Sequence, residues 1–190
     1  ILSSKMPDGK TSVPQEIINR MHTLGYSVTL HLVCASDYGV PQKRYRVLMV
    51  GIDESLGIGA FDFNLMKQIV EANDIPSEHF GRKEELLLGR ILQNLENVKD
   101  HEVWEYSPGT QKTVDLIGSC EHGIEAFKYF KDGYNIDELP NICFQGRSWK
   151  DIPYEALTPR FRNIADNPKK YHAPKFFRRF AFGEINGTIT

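Results

Sequence analysis

The spacing of hydrophobic positions changes along residues 13–52. It starts at helical spacing, with Ile17, Ile18, Met21 and Leu24. Thr11 or Ser12 can cap the start of this helix, and Gly25 is placed to end it. The following segments SVTLHLVCA and RYRVLMVGI read as strands, joined by the turn-forming stretch DYGVPQ. The pattern therefore predicts a helix, a strand, a loop and a second strand.

The second strand passes from alternating residues to a continuous apolar run. Such a run is typical of a strand that is buried on both faces, in the middle of a sheet covered by helices. Residues 1–52 are therefore predicted to be a fragment of a layered α/β sheet.

From Asp53 onward the character of the chain changes. Residues 62–99 are rich in predicted helix, with an apolar stripe that runs from Leu86 to Leu95. Gly and Pro break residues 100–150 into short pieces, with one predicted helix around Ile124–Phe130. Beyond residue 150 only a short helix is predicted, near Pro153–Leu157. A domain boundary is therefore placed near residue 53, and residues 53–190 are predicted to form an irregular α+β domain.

Charge is distributed unevenly, although the net charge is only −2. Residues 141–190 carry nine Lys and Arg against four Asp and Glu, whereas residues 1–140 carry 14 against 21. A basic end on an acidic body is expected when one face meets phosphate, and a solvated basic face without a partner is the alternative. The three cysteines lack metal-ligand spacing, so free thiols and no metal site are expected. No apolar run approaches the roughly 20 residues that span a bilayer, and no membrane association is expected.

One segment carries candidate chemistry. Gln42, Arg44 and Arg46 alternate with Lys43 and Tyr45, so in a strand the first three share one face. Guanidinium groups beside a buried strand are costly unless they meet an anion or a carbonyl. Spacing alone leaves two readings open, a ligand site or arginines bonded to local carboxylates and loop carbonyls.

The sequence of the whole segment resembles the eighth motif of the DNA cytosine-5 methyltransferases, which reads Gln-x-Arg-x-Arg ahead of an apolar strand. The upstream Leu24-Gly25-Tyr26 and the stretch Ala-Ser-Asp-Tyr-Gly-Val-Pro-Gln resemble the way that family enters this motif. The resemblance implies a Rossmann-like methyltransferase sheet and methyl transfer from S-adenosylmethionine to C5 of a cytosine flipped out of DNA. It implies that Arg46 holds the cytosine O2, that Arg44 supports the pocket or a phosphate, and that Gln42 orders the loop.

The family's Pro-Cys-Gln nucleophile and its Phe-x-Gly-x-Gly cofactor loop do not occur in the chain. The resemblance therefore implies a carboxyl-terminal fragment that is inactive alone and binds no cofactor itself. Its expected partner is the amino-terminal catalytic half, which the chain lacks. Cys34 is expected to be a buried thiol. The exposed sheet face is expected to mediate association, and the parent is expected to be a cytoplasmic, bacterial enzyme.

Residues 53–190 occupy the place of the family's target recognition domain, which reads double-stranded DNA. Gly146-Arg147-Ser148-Trp149-Lys150-Asp151-Ile152-Pro153 resembles a stretch found late in such domains. Arg147 is the candidate for a guanine edge, and Trp149 is expected to be a core anchor. Further predicted DNA contacts, chiefly to phosphates, are Ser148, Lys150, Arg160, Arg162, Lys169, Lys170, Lys175, Arg178 and Arg179.

Two other functions remain open at this stage. A relative that methylates cytosine in transfer RNA would share the arginine motif. A DNA-binding protein without catalytic activity would share the recognition region alone.

Overall fold

The structure is a computed structural model that describes residues 3–93, 95, 105–118, 125–130, 134–168 and 178–187. The chain divides into two compact units. Unit 1 comprises Ile1–Lys83 with Gly187–Thr190, and unit 2 comprises Glu84–Asn186.

Unit 1 opens with helix α1, Val13–Thr23. Ser12 caps it by accepting a hydrogen bond from the Gln15 amide at 3.3 Å, and Pro14 lies in its first turn. Gly25 follows the helix with a φ of +86°, a conformation that costs glycine little. The predicted helix and its end signals are confirmed.

Two strands follow, β1 (Tyr26–Cys34) and β3 (Tyr45–Asp53), which pair antiparallel with Val33 opposite Arg46. A short strand β2, Gln42–Lys43, lies between them in the chain. Both predicted long strands are confirmed. The predicted burial of the second strand is wrong for this chain, because β1 and β3 form a two-stranded sheet and no residue of β3 is buried.

Helices approach both faces of this strand pair. Met21 of α1 lies against Gly51 on one face, at 3.1 Å from the position of a Cβ on that glycine. On the other face His31 stacks on Phe63, with ring centroids 4.9 Å apart. Phe63 begins helix α2, Phe63–Ala72, which Asp62 caps through the amides of residues 64 and 65. The strand pair thus has a helix on each side, as the layered α/β prediction requires.

Residues 83–92 realise the predicted apolar stripe only in part. A 3-10 turn at Lys83–Leu86 leads into the five-residue helix α3, Leu88–Leu92. Leu86 and Leu87 are buried, whereas Leu95 is exposed. Helix-rich structure is therefore found, but the apolar positions do not share one long helix in the described residues.

Unit 1 ends at Lys83, thirty residues beyond the boundary predicted near residue 53. That boundary separated segments by motif content, and it stays a prediction about function. The compact unit is larger because residues 75–81 pack on the loop that precedes β2, as described below.

Unit 2 contains helices α4 (Pro108–Ile117) and α5 (Pro159–Asp166) and the short strands β4 (Arg147–Ser148) and β5 (Arg178–Arg179). Strand β6, Asn186–Gly187, ends the described chain. The helix predicted around Ile124–Phe130 lies partly outside the described residues, of which 125–127 are helical. A 3-10 turn at Tyr154–Ala156 occupies the predicted short helix.

Two apolar clusters hold unit 2 together. The first comprises Leu86, Leu87, Ala126, Phe130, Cys143 and Ile185. The second comprises Ile117, Trp149, Ile152, Leu157 and Phe161. Trp149 is 7% exposed and stacks on Phe161 with a centroid distance of 5.6 Å, so the predicted core anchor is confirmed.

Helix α5 was not predicted from the sequence. Its start signals are Thr158 at the N-cap and Pro159 in the first turn. Phe161 is buried within it, and Ile164 and Ala165 pack beside the second cluster at i+3 and i+4, so the helical spacing was present in the sequence and was overlooked. Among the described residues no helix combines the length and the apolar character that crossing a bilayer requires.

Candidate functional site

The Gln42–Arg46 segment is bent rather than extended throughout. The Arg44 amide donates to the Gln42 carbonyl at 3.0 Å, a three-residue turn that separates β2 from β3. The Arg44 carbonyl accepts from the Ala35 amide at 2.9 Å. The prediction of one continuous strand with three side chains in a row is wrong, because this turn interrupts the pleat.

Exposure separates the segment into two groups. Gln42 and Arg44 are half-buried, whereas Lys43, Tyr45 and Arg46 are exposed. The Arg46 guanidinium donates to the neighbouring Tyr45 carbonyl at 2.7 Å. Neither Arg44 nor Arg46 makes an ion pair with a residue that the structure describes. Local carboxylates therefore do not explain these arginines, although the Tyr45 carbonyl accounts for one hydrogen bond of Arg46.

Within this segment, Lys43 is held by an ion pair with a carboxylate. Its ammonium group forms an ion pair with Oε1 of Glu78. The second oxygen, Oε2, accepts from Ser36 Oγ at 2.9 Å, and the Glu78 amide donates to the Ser36 carbonyl at 3.0 Å. Burial raises the pKa of Glu78, but the hydrogen bonds from Lys43 and Ser36 together lower it by more. The net pKa of Glu78 therefore lies below its ordinary value. The carboxylate is therefore ionised at neutral pH.

The residues around Glu78 also contact the loop that contains Asp37 and Gly39. We call residues 75–81 the clamp segment. Ser77 is fully buried and donates to the Asp37 carbonyl at 3.1 Å. Gly39 has a φ of +82°, and a Cβ placed there would lie 2.8 Å from Cγ2 of Ile75. Hydrogen bonds and close packing thus hold the clamp segment on the turn that leads into Gln42.

The Cys34 thiol at the end of β1 and the Tyr38 hydroxyl in this loop are withdrawn from solvent. Cys34 is 6% exposed and its Sγ lies 3.2 Å from Ser36 Oγ, in agreement with the predicted buried thiol. The hydroxyl oxygen of Tyr38 is buried and has no hydrogen-bond partner among the described residues. Burial, followed by the charge of Asp37, raises the pKa of Tyr38.

A second candidate site lies on β4 and β5 of unit 2. Arg147 pairs across the strands with Arg179, and Ser148 pairs with Arg178. Like charges directly opposite each other are destabilising unless an anion lies between or beside them. Arg147 makes no side-chain hydrogen bond or ion pair with any described residue. Its guanidinium is therefore available to an external acceptor.

Arg178 is already engaged within the protein. Its Nη2 lies 2.7 Å from both carboxylate oxygens of Glu184, and its guanidinium lies over the Phe180 ring at 4.7 Å from the centroid. Glu184 Oε1 also accepts from the Ala181 amide at 2.8 Å. This arrangement fixes the loop after β5 and neutralises one of the three arginines.

Ser148 and Lys150 have local contacts. Ser148 and Asp151 form a capping box, with the Ser148 amide and hydroxyl 2.6 and 3.1 Å from Oδ2 of Asp151. The Lys150 ammonium lies 5.9 Å from the centroid of the Trp149 ring. Both residues therefore shape the turn after β4 in addition to any external contact.

The remaining basic candidates lie on or after α5. Arg162 donates to the Glu155 carbonyl and lies over the Tyr154 ring at 5.7 Å from the centroid. Arg160 lines a pocket of about 340 Å³ where α4 and α5 begin, together with Ser107, Lys112 and Thr158. Lys169, Lys170 and Lys175 lie outside the described residues.

The structure brings Gln42, Arg44 and Arg46 together in unit 1 and Arg147, Ser148, Arg178 and Arg179 together in unit 2. Sequence reasoning missed Glu78, which lies 35 residues after Lys43 in the chain. No spacing rule connects the two residues, so the sequence carried no signal for this contact. The described residues contain no group of three or more His, Cys, Asp or Glu that could hold a metal ion.

Comparison with known proteins identifies the family. The model of the C-5 cytosine-specific DNA methylases matches residues 5–179. The Type II methyltransferase M.FnuDI of Fusobacterium nucleatum is 32% identical over 106 residues, which are 55% of this chain and 30% of that protein. The Type II methyltransferase M.NgoFVII of Neisseria gonorrhoeae is 29% identical over 109 residues, 57% of this chain and 27% of that protein.

A third relative, the Type II methyltransferase M.BsuFI of Bacillus subtilis, is 40% identical over 47 residues, 25% of this chain and 12% of that protein. The chain thus spans less than a third of the length of these curated relatives. No solved structure matches it significantly. Because the family model runs through nearly the whole sequence, the chain belongs to the C-5 cytosine-specific DNA methylase family.

Proposed function

We propose that this chain is the carboxyl-terminal part of an enzyme that transfers a methyl group from S-adenosylmethionine to C5 of a flipped cytosine in DNA. One observation carries the proposal: the family model matches residues 5–179, a range that includes both the arginine segment and the basic strand pair of unit 2. The chain then supplies the base-pocket arginines and the reading of the DNA sequence, and a missing amino-terminal half supplies the rest.

Arg46 is the residue proposed to hold the cytosine. It is exposed at the start of β3, and the Tyr45 carbonyl bonds only one of its guanidinium nitrogens. A fixed cation at the cytosine O2 stabilises the negative charge that develops when a thiolate adds to the ring. Arg44 is proposed to support the pocket or a phosphate, and Gln42 to order the loop.

The described residues do not fit the cofactor or the nucleophile of the reaction. The loop Gly57–Gly59 has both glycines in the left-handed region, but open space surrounds them and nothing forms a cradle. Cys34 is buried against Ser36 and lacks the exposure that a nucleophile needs. In this proposal S-adenosylmethionine and the attacking cysteine therefore belong to the missing half, and the fragment alone is inactive.

The strand pair β4–β5 is proposed to face the DNA. Arg147 has no partner among the described residues, so it can form two hydrogen bonds with O6 and N7 of a guanine, worth about 1–3 kcal/mol of discrimination. Lys150, Arg160, Arg162, Lys175 and Arg179 are proposed to meet phosphates, which give affinity without sequence preference. Ser148 and Arg178 are proposed as further contacts, beside the local bonds that they already make.

The test is selection from a randomised duplex library by mobility shift, followed by sequencing of the bound DNA. We expect the wild-type chain to enrich a short site that contains cytosine, and Arg147→Ala to lose preference at one position because the guanine contact is gone. Arg20→Ala is the matched control. It removes the same charge from an exposed pair with Glu16 on α1 and should leave the preferred site unchanged.

Other outcomes would contradict this reading. Equal enrichment by the wild type and Arg147→Ala would remove Arg147 from sequence reading. Binding of transfer RNA in preference to every duplex would show that the recognition region reads RNA.

A further inference from the structure

We propose that Glu78 is a positioning residue for the arginine motif, because it holds Lys43 and Ser36 and thereby sets the orientation of Gln42, Arg44 and Arg46. The inference rests on the proposed function, since the motif matters only if a base is held there. Glu78 lies in the part of the sequence predicted to be recognition domain, and nothing in the motif itself points to it.

The bonds of Glu78 close the loop from both ends. Ser36 lies ahead of the turn at Gly39, and Lys43 lies after it, between Gln42 and Arg44. One carboxylate bonds both residues, at Oε2 and Oε1 respectively. The backbone bond from the Glu78 amide to the Ser36 carbonyl, at 3.0 Å, fixes the position from which the side chain extends. The turn cannot open without breaking these contacts.

Fixing Lys43 also fixes its neighbours. Lys43 is the central residue of the turn that the Arg44 amide closes on the Gln42 carbonyl at 3.0 Å, so holding its side chain at Glu78 fixes this turn and the directions in which Gln42 and Arg44 leave it. The exposures differ accordingly, since Lys43 is exposed while Gln42 and Arg44 are half-buried. The bond from the Ala35 amide to the Arg44 carbonyl, at 2.9 Å, anchors the backbone beyond Lys43.

The ion pair between Lys43 and Glu78 would not hold the loop in one orientation by itself. The Lys43 side chain is 48% exposed, and pairs of that kind contribute little because solvent screens them. Ser36 changes the situation, since it is fully buried and its hydroxyl fixes the other carboxylate oxygen. Ser77 and Ile75 add a buried hydrogen bond to Asp37 and a close approach to Gly39. The loop is thus held by a defined geometry rather than by charge attraction.

The first measurement needs only the 190-residue chain. Iodoacetamide labelling, resolved by mass spectrometry of each cysteine peptide, reports opening of the loop at Cys34. We expect Glu78→Gln to label Cys34 about tenfold faster, because local opening becomes easier. Cys143, which is fully buried in unit 2, is the internal reference and should label at the wild-type rate. Glu71→Gln, which removes an exposed charge from α2, is the matched control.

A charge-swapped pair separates position from folding. Lys43→Glu with Glu78→Lys restores the ion pair in the opposite sense, and Ser36 can accept a hydrogen bond from the new ammonium group. We expect this double variant to return the Cys34 labelling rate toward that of the wild type, whereas each single variant stays fast. Fast labelling in the double variant, or slow labelling in Glu78→Gln, would overturn the proposal.

The second measurement uses the full-length enzyme with duplex DNA. We expect Glu78→Gln to lower kcat by about 10- to 100-fold, as a misplaced pocket does, with little change in KM for DNA. The double variant should recover kcat. Recovery of Cys34 protection without recovery of kcat would overturn the positioning role, since Lys43 would then act through its own charge. If the wild-type enzyme transfers no methyl group at all, the proposed function is wrong, and labelling of Cys34 alone decides whether Glu78 holds the loop.

Discussion

At the scale of single residues, the basic side chains of unit 2 differ in how much of their bonding capacity is already used. Arg178 donates guanidinium hydrogen bonds to Glu184, and Arg162 donates one to a backbone carbonyl. Arg147 donates no side-chain hydrogen bond to a described residue. A basic residue can bind DNA with its remaining donors, but the energetic gain is greatest where no internal bond must be replaced. This ranking places Arg147 first among the proposed contacts.

Ser148 allows a direct test of this ranking, because it was predicted from the sequence as a DNA contact. We expect Ser148→Ala to lower the free energy of unfolding by about 0.5–2 kcal/mol, since it removes one half of the capping box. The preferred DNA site should stay unchanged. Urea denaturation and library selection measure the two quantities.

Ser107→Ala is the control, because Ser107 precedes α4 without capping it through its side chain. Unchanged stability of Ser148→Ala together with a lost DNA preference would show that the hydroxyl serves DNA rather than the turn.

At the scale of elements, local signals explain what the sequence could and could not predict. Helix α1 was predictable because Ser12 and Gly25 mark its two ends, and β1 was predictable because its strand-forming residues make one local run of nine. The bend at Arg44 could not be predicted, because the hydrogen bond that makes it depends on how the turn packs. The contact between Glu78 and Lys43 could not be predicted either, because the two residues lie 35 positions apart in the sequence. Contacts of that kind follow from the fold and leave no periodic trace.

Gly39 shows how strongly the clamp segment constrains the turn. We expect Gly39→Ala to destabilise unit 1 by more than the roughly 1–2 kcal/mol that a left-handed alanine costs, because its methyl would meet Ile75. Gly57 has a similar φ, +66°, with open space around it, so Gly57→Ala isolates the conformational cost alone. Urea denaturation followed by circular dichroism compares the two. Equal losses would mean that the clamp segment yields without cost.

At the scale of the whole molecule, the strand pair presents an uncovered apolar surface. The pairing register places Leu32 and Tyr45 on the face that α1 covers only at its far end, beside Gly51. Leu32 is 52% exposed and Tyr45 is 60% exposed. In the proposed enzyme this face is covered by a part of the protein outside this chain, which agrees with a chain that spans less than a third of its relatives.

The isolated chain should therefore associate through this surface. Light scattering after size-exclusion chromatography should give a mass that rises with concentration for the wild type, and Leu32→Lys should shift the chain toward the monomer. Leu56→Lys is the control, since Leu56 is 63% exposed on the turn after β3. A monodisperse wild-type monomer at high concentration would count against an apolar docking face.

If residues 53–190 are a recognition region, the clamp segment also bears on where such a region can be exchanged between two enzymes. A recombination event that joins two genes after residue 53 separates Lys43 from its own Glu78, and the hybrid inherits arginines whose loop is held by an unrelated sequence. A junction after Lys83 transfers unit 2 and leaves the pair intact. Natural hybrids and laboratory chimaeras should therefore survive more often when they cross over after the clamp than before it.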